Sequence, residues 1–216
     1  MSTQSKTGLE VLVTPEESVM KAILFDRFGG TEVLHEAHIE VPQPGPGQVR
    51  VRVRVKAAGV NALDGKTRSG MLEAVYPTTF PAVPGGELAG VVDALGEGVT
   101  DVQVGDEVLG WSDTGSYAQY ALATTVAPKP AGLDWQDAAA LPVASKTAER
   151  VLNLLGVAAG ETVLMHGASG GVGTLAIQLA TAAEHASSPP QAPPTRTTSP
   201  RSAPPRPCTA RAWSSG

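Results

Sequence analysis

Cysteine is almost absent from this sequence, since Cys208 is the only one in 216 residues. An intramolecular disulfide therefore cannot form, which fits a reducing compartment. Cationic residues are in the minority, because 16 Lys and Arg face 21 Asp and Glu and leave a formal net charge of -5. This balance argues against a nucleic-acid-binding chain and against a polybasic membrane anchor.

Aromatic residues make up only 4% of the chain, and long apolar runs are missing. No stretch approaches the ~18 apolar residues of a membrane span, and the acidic N-terminus has no apolar centre of the signal-peptide type. We therefore expect a cytoplasmic protein without a membrane partner. Residues 1–19 are predicted to form a mobile leader, which an alternative start at Met20 would remove.

Short β segments are expected over most of the chain. An apolar run predicts a strand at 20–25, and valines alternate with basic residues from Val49 to Lys56, which is the period of a half-buried strand. The basic side of that strand is interpreted as a solvated face rather than a binding face. Further strands are predicted at 88–95, 106–111 and 117–123. Their spacing, with Gly, Pro and Asp between them, indicates a compact barrel-like or sandwich-like β domain.

The residue pattern after this β region is typical of helices. Asp134 can cap a helix over 135–141, and a second helix is predicted over 146–155, with Gly156 at its end. A strand at 162–166, a tight glycine turn and another helix should follow.

The glycine turn is the most informative feature of the sequence. A strand that enters a helix through glycines presents backbone N–H groups at the helix N-terminus, where they and the helix dipole favour an anion such as a pyrophosphate. Side chains at the turn would block that anion, so glycine is required. Here Gly167, Gly170, Gly171 and Gly173 supply the open backbone, and Ser169 adds a hydroxyl. The alternative is a purely structural strand-to-helix turn.

The last 33 residues, 184–216, contain 8 of the 18 prolines and no Val, Ile, Leu, Met or Phe. They cannot build a core and are predicted to be disordered. A dinucleotide site is expected to have an acidic residue, or a basic one for a 2′-phosphate, after a second strand, about 20 residues beyond the turn. That position falls near Pro189 and Pro190, where no strand is expected.

Several segments together resemble the quinone oxidoreductases and zeta-crystallins, which are zinc-independent medium-chain dehydrogenases. The family signature is matched by Gly160, Glu161, Leu164, Ala168, Ser169, Gly170, Gly171, Gly173 and Gln178. The stretches 59–70, 84–90 and 140–148 also match family segments. The resemblance covers residues 20–183. It implies a mixed α+β and α/β fold, with a GroES-like β domain over 20–146 and the first βα unit of a Rossmann-type domain over 147–183.

The resemblance also implies a site and an activity. Asn61 and Thr147 would lie near the nicotinamide and the substrate as catalytic residues, and the residues predicted to bind the cofactor are Ser169, Gly170, Gly171, Val172 and Gly173. The cofactor would be NADPH, with NADH as the alternative, and the substrate a quinone or an α,β-unsaturated carbonyl. No metal is expected, because Gly86 occupies the position of the histidine ligand in zinc-dependent relatives, and Glu87 is interpreted as a structural carboxylate. Two other hypotheses stay open, a non-catalytic GroES-like remnant and an enoyl-thioester reductase.

The C-terminal residues 184–216 suggest that the reading frame has shifted. Relatives of this family continue into a Gly-Ala-x-Val strand, whereas this chain has Glu184-His185-Ala186-Ser187. A frame shifted by one base would restore the expected strand, so we hypothesise a frameshift close to residues 181–184. Intact relatives are expected to form homodimers through the cofactor domain. In this chain the sequence predicts weak NADPH binding, low turnover and exposed apolar residues at Val163, Leu164 and Met165.

Overall fold

The computed structural model describes residues 18–45, 51–158 and 160–187. The chain divides into two compact units, residues 1–142 and 143–216. Most of the predicted leader and all but the first residues of the predicted tail lie outside the described ranges. The leader was predicted to reach residue 19, but Val19 already belongs to the first strand and pairs with Glu40.

The first unit is built mainly from antiparallel strands. The elements of the described chain are β1 (Val19–Leu24), a 3-10 turn (Thr31–Val33), β2 (His35–Glu40), β3 (Val51–Ala58), α1 (Ala62–Arg68), β4 (Glu87–Leu95), β5 (Glu107–Trp111), β6 (Tyr120–Ala123), β7 (Thr125–Pro128), α2 (Trp135–Leu155) and α3 (Gly171–Ser187). Strands β1 and β2 pair with each other, and the other five form one sheet in the order β6-β3-β4-β5-β7. The predicted compact β domain is therefore confirmed.

The alternation in β3 places its valines in the core. Val51 is 3% exposed and Val53 is 0% exposed, whereas Arg54 and Lys56 on the other side are exposed. The interpretation of the basic side as a solvated face is confirmed, except that Arg52 is half-buried. The guanidinium of Arg52 donates from Nε to the Asp93 carboxylate at 2.8 Å.

Two hydrophobic clusters lie in the first unit. The larger cluster consists of Val51, Val53, Leu88, Val92, Val102, Val108, Ala121 and Ala123. In the smaller one, Ala138 and Ala139 from the first turns of α2 pack with Ala89 of β4. Asp134 caps this helix as predicted, since its Oδ1 accepts the backbone N–H of Asp137 at 2.7 Å.

The prediction of two helices between 135 and 155 was wrong, because α2 is one helix with Pro142 inside it. Proline removes one backbone donor and usually interrupts a helix. Here it follows a run of alanines, which are the strongest helix formers, and Ala138 and Ala139 are anchored by their burial in the first unit. Gly156 ends α2 as predicted, with a φ of 64°.

The strand predicted at 162–166 is not formed, since these residues belong to no β-ladder within the described part of the second unit. A strand requires a hydrogen-bonded neighbour, and none of the described residues supplies one. The predicted exposure is confirmed for Val163 at 38% and Leu164 at 90%, while Met165 is half-buried.

Helix α3 begins in the glycine turn as predicted but extends to Ser187. The prediction of disorder from residue 184 was therefore wrong for 184–187. Glu184 and Ala186 in this stretch have a high helix propensity, so the helix can continue without an apolar core. The proposed frameshift position lies within or beside this helix, and nothing in the structure tests it.

Candidate active site

Asn61 lies at the start of α1, directly after the end of β3. Its backbone is extended, with φ -120° and ψ 154°, which is the conformation of a helix N-cap residue. Two hydrogen bonds tie it to Asp64 in the first helical turn. The Asn61 backbone N–H donates to Asp64 Oδ2 at 2.8 Å, and the Asp64 N–H donates to the Asn61 carbonyl at 3.1 Å.

The Asn61 side chain contacts a buried carboxylate. Its Nδ2 donates to Glu87 Oε1 at 2.6 Å, and Glu87 is only 2% exposed at the first position of β4. A carboxylate oxygen only accepts, so this contact fixes the orientation of the amide and places the nitrogen on Glu87. Gly59 is needed beside this pair, because a Cβ at that position would collide with the Glu87 side chain.

Tyr117 reaches the same group from a distant part of the chain. Its hydroxyl donates to Asp64 Oδ2 at 3.0 Å. Burial raises the pKa of Tyr117 well above its ordinary value, and the charge of Asp64 and the hydrogen bond to it act in the same direction. The phenol therefore stays protonated and acts as a permanent donor to Asp64.

A buried hydroxyl lies next to Tyr117. Ser116 is 1% exposed, and its Oγ is the one buried side-chain polar atom without a hydrogen-bond partner among the described residues. It lies against Gly85, where the backbone φ is 99° and a Cβ would collide with Ser116 Oγ. An unsatisfied hydroxyl is rare in a protein interior, and the contact with Gly85 shows that the chain at residue 116 packs closely against residue 85.

The glycine turn of the second unit leads directly into the N-terminus of α3, without a strand in the described residues before it. Gly167 has a φ of 74°, Gly170 N–H donates to the Gly167 carbonyl at 3.1 Å, and α3 begins at Gly171. The first N–H groups of a helix have no partner within the helix and point out of its end. The turn therefore presents donors to an anion at the N-terminus of α3.

The glycines of the turn fall into two kinds. A Cβ on the buried Gly173 would lie 2.6 Å from the Gly167 carbonyl oxygen and 2.7 Å from Ala168 Cα, so the fold itself requires glycine there. A Cβ on Gly170 would meet only the Gly167 oxygen at 3.5 Å, and one on Gly171 only the Ala144 side chain at 3.9 Å. Packing within the protein does not explain glycine at these two exposed positions, which are open to a ligand.

The other predicted residues are placed as follows. Ser169 and Val172 are exposed beside the open glycines, and the five predicted cofactor residues are consecutive in the turn and the first turn of α3. Thr147 lies on the second-unit part of α2, and its hydroxyl donates to the Val143 carbonyl one turn earlier, at 2.7 Å. Asn61 belongs to the first unit, where the structure surrounds it with Glu87, Asp64 and Tyr117.

Known proteins resemble this chain in sequence and in fold. Residues 45–131 match the alcohol dehydrogenase GroES-like domain. The chain is 43% identical over 171 residues to a quinone oxidoreductase of Lama guanicoe, covering 77% of this chain and 51% of the relative. It is 37% identical to a chloroplastic NADPH-dependent alkenal/one oxidoreductase of Arabidopsis thaliana, covering 83% and 49%. A mycobacterial protein solved in complex with NADPH superposes with a TM-score of 0.65 at 37% identity, covering 76% and 51%.

Over about three quarters of its length the chain is similar to quinone oxidoreductases, and residues 45–131 carry the GroES-like domain of alcohol dehydrogenases. It spans about half the length of the curated relatives that it matches. The described residues contain no group of three His, Cys, Asp or Glu side chains that could hold a metal ion. None of the described helices is long and apolar enough to cross a membrane.

Sequence reasoning did not identify Asp64 and Tyr117 as members of the site. Asp64 stands three residues after the N-cap, and that spacing is a local signal for a capping box. Tyr117 is 53 residues away from Asp64, and no local pattern predicts such a contact. Glu87 was predicted to be a structural carboxylate, and its burial next to Asn61 agrees with that role.

Proposed function

We propose that this protein is an oxidoreductase that uses NADPH to reduce a quinone or an α,β-unsaturated carbonyl. The observation that carries the proposal is the open glycine turn, in which Gly170 and Gly171 leave space that packing does not require. A pyrophosphate fits this space, because it would meet the N-terminus of α3 without a side chain in the way. The NADPH named for the Arabidopsis relative, and bound in the mycobacterial structure, supports this cofactor over NADH.

NADPH would supply the hydride when bound, and the protein would supply orientation and polar contacts. Ser169 and the N–H groups of Gly171, Val172 and Gly173 would hold the pyrophosphate. Asn61 would contact the nicotinamide amide or the substrate carbonyl, where its second amide N–H can donate and oppose the negative charge that develops on oxygen. Thr147 would lie near the nicotinamide, and its hydroxyl oxygen can still accept a hydrogen bond.

The acceptor in this proposal does not need a Lewis acid. In a quinone or an enone the carbonyl is conjugated to the carbon that receives hydride, so electron density moves onto the oxygen as the new C–H bond forms. A fixed hydrogen-bond donor such as Asn61 is suited to that oxygen. The names of the relatives, quinone oxidoreductase and alkenal/one oxidoreductase, favour this substrate class over an enoyl thioester and over a remnant without activity. A cytoplasmic location and a homodimer stay predictions.

The test traces the transferred hydride with a deuterium label, in addition to measuring the consumption of NADPH. The purified chain would be incubated with NADPH deuterated at the transferable position and with either 1,4-benzoquinone or a simple enone. We expect deuterium on carbon in the reduced enone, and consumption of NADPH in proportion to product for both acceptors. Product without deuterium, or no product from either acceptor under any condition, would overturn the proposal.

A matched pair of variants tests the site. Gly170→Val fills the open space, and we expect it to weaken NADPH binding at least ~10-fold, by analogy with the loss of a well-placed pyrophosphate contact. Ala127→Val, at an exposed position of β7 in the first unit, serves as the control. Ligand-observed NMR can measure weak affinities, and equal binding by both variants and the unsubstituted chain would contradict the assignment.

A further inference from the structure

Three segments that are far apart in the sequence converge on Asn61. Asn61 precedes α1, Glu87 opens β4 and Tyr117 lies just before β6. The Asn61 side chain donates directly to Glu87 at 2.6 Å, whereas Tyr117 is connected to Asn61 through the Asp64 carboxylate, by hydrogen bonds of 3.0 and 2.8 Å. Tyr117 has no place in the predicted site. Its hydroxyl nevertheless donates to Asp64, which in turn holds the Asn61 backbone.

We propose that Tyr117 is a positioning residue, which holds Asn61 in its working orientation by acting through the Asp64 carboxylate. The proposal rests on the proposed function, in which Asn61 contacts the nicotinamide or the substrate. A single oxygen, Asp64 Oδ2, accepts both the Asn61 N–H at 2.8 Å and the Tyr117 hydroxyl at 3.0 Å. Loss of the phenol hydroxyl therefore changes the position of the atom that anchors the Asn61 backbone.

Tyr117 is suited to this role because its backbone is fixed on both sides. Its N–H donates to the Pro84 carbonyl at 3.1 Å, and its carbonyl accepts the N–H of Ile23 in β1 at 2.8 Å. The ring also lies against Gly85, where a Cβ would come within 2.5 Å of Tyr117 Cδ1. The hydroxyl consequently has a defined position relative to the sheet.

Helix α1 needs such an external anchor. It has only 7 residues, and a helix of that length is marginal without tertiary contacts. Gly65 lies in its first turn, with no atom near the position of a Cβ. The start of α1 is held at two points: Asn61 Nδ2 donates to Glu87 of β4, and the Asp64 carboxylate, which is 9% exposed, accepts the Tyr117 hydroxyl.

The consequence for catalysis is geometric. The Asn61 amide nitrogen is held on Glu87, and rotation of the Asn61 backbone would carry the whole amide away from the reacting atoms. A displacement of about 1 Å at a positioning group lowers rates by up to ~100-fold. For the loss of one hydrogen bond we expect a smaller effect, of about tenfold.

The direct test is NMR spectroscopy of the 216-residue chain. Tyr117→Phe removes the hydroxyl and keeps the ring, and Tyr120→Phe is the matched control, since its ring lies 5.5 Å from the Arg52 guanidinium. The side-chain amide signals of Asn61 are assigned by their disappearance in Asn61→Ala. We expect Tyr117→Phe and Asp64→Asn to shift or broaden these signals and Tyr120→Phe to leave them in place. Unchanged Asn61 signals in Tyr117→Phe, or equal changes in the control, would overturn the proposal.

Kinetics supply a second readout, in which the Asn61→Ala background separates action through Asn61 from a general loss of folded protein. We expect Tyr117→Phe to lower kcat about tenfold with little change in the KM for NADPH, and to have no further effect in the Asn61→Ala background. A full additional loss in that background would contradict action through Asn61. Absence of turnover in the unsubstituted chain would count against the proposed function, and the NMR result would then decide the role of Tyr117 by itself.

Discussion

At the scale of single residues, the glycine turn shows that one motif can contain positions with different purposes. Gly173 is buried, and its Cβ would collide with the backbone at 167–168, whereas Gly170 is open. The two roles cannot be separated in the sequence, where both residues match the family signature. The distances from a Cβ placed at each glycine to its neighbours make the distinction. They show that the fold requires glycine at 173, whereas glycine at 170 leaves space for a ligand.

The different roles predict different effects of alanine. Gly173→Ala should loosen the start of α3 by about 1–3 kcal/mol, because the Gly167 carbonyl is backbone and cannot move aside cheaply. Gly170→Ala should change the stability by less than ~1 kcal/mol, since its Cβ makes an ordinary contact. Hydrogen exchange of the 171–187 amides measures both effects. Equal protection in the two variants would show that the collision at Gly173 is relieved by a shift of the turn.

The raised pKa of Tyr117 predicts that the free energy of unfolding depends on pH in the alkaline range. The folded state raises the pKa of Tyr117 above its ordinary value of 10.0, so folding favours the protonated phenol. The corresponding stabilisation is fully present below pH 10.0 and is lost as the pH rises above it. Denaturant unfolding of the unsubstituted chain should thus show a steeper decline of stability above pH 10.0 than Tyr117→Phe. Tyr120→Phe is the control, and it should retain the steep decline.

At the scale of secondary-structure elements, patterns that depend on neighbours in the sequence were predictable. The alternation of β3 and the cap of α2 at Asp134 are local, and both are found in the structure. Features that depend on distant partners were not predictable. Residues 162–166 have a strand composition but no strand to pair with, and the Tyr117–Asp64 contact spans 53 residues. Helix α1 was missed because it has only 7 residues and includes a glycine.

The junction between the sheet and α2 depends on one lysine. The Lys129 side chain is 6% exposed, and its Nζ lies 3.0 Å from the Glu107 carboxylate and 2.7 Å from the Leu133 carbonyl. The Trp135 ring centroid is 4.9 Å from the same atom. This cation thereby links β5 to the chain that enters α2.

Replacement of Lys129 should therefore be costly. Lys129→Met keeps an unbranched side chain but leaves the Leu133 carbonyl without its donor, and we expect a loss of about 1–3 kcal/mol in the free energy of unfolding. Lys21→Met removes a cation whose pair with Glu36 is 59% exposed on both sides, and should change stability by less than ~1 kcal/mol. Denaturant unfolding at neutral pH compares them. A similar small effect for both would show that the Lys129 contacts contribute little.

At the scale of the whole molecule, the two units differ in how their apolar residues are buried. The first unit has its own core around Val53, Leu88 and Val108, each 0% exposed. In the second unit Leu154 is 78% exposed and Leu164 is 90% exposed, and the segment that enters the glycine turn has no β-partner among the described residues. The fold class could be predicted from the sequence because the family motifs cover both units. The state of the 162–166 segment could not, since it depends on which strands are present to pair with it.

This difference predicts weak binding of NADPH by the 216-residue chain. The turn and α3 supply N–H groups for a pyrophosphate, but a complete dinucleotide site also needs a second strand that holds the ribose, and residues 160–187 contain none. Because the segment before the turn is not held in a sheet, part of the binding energy must be used to order it. We expect a Kd on the order of millimolar, measured by calorimetric titration and by ligand-observed NMR. Micromolar binding would show that residues outside the described ranges, or a second polypeptide, complete the site.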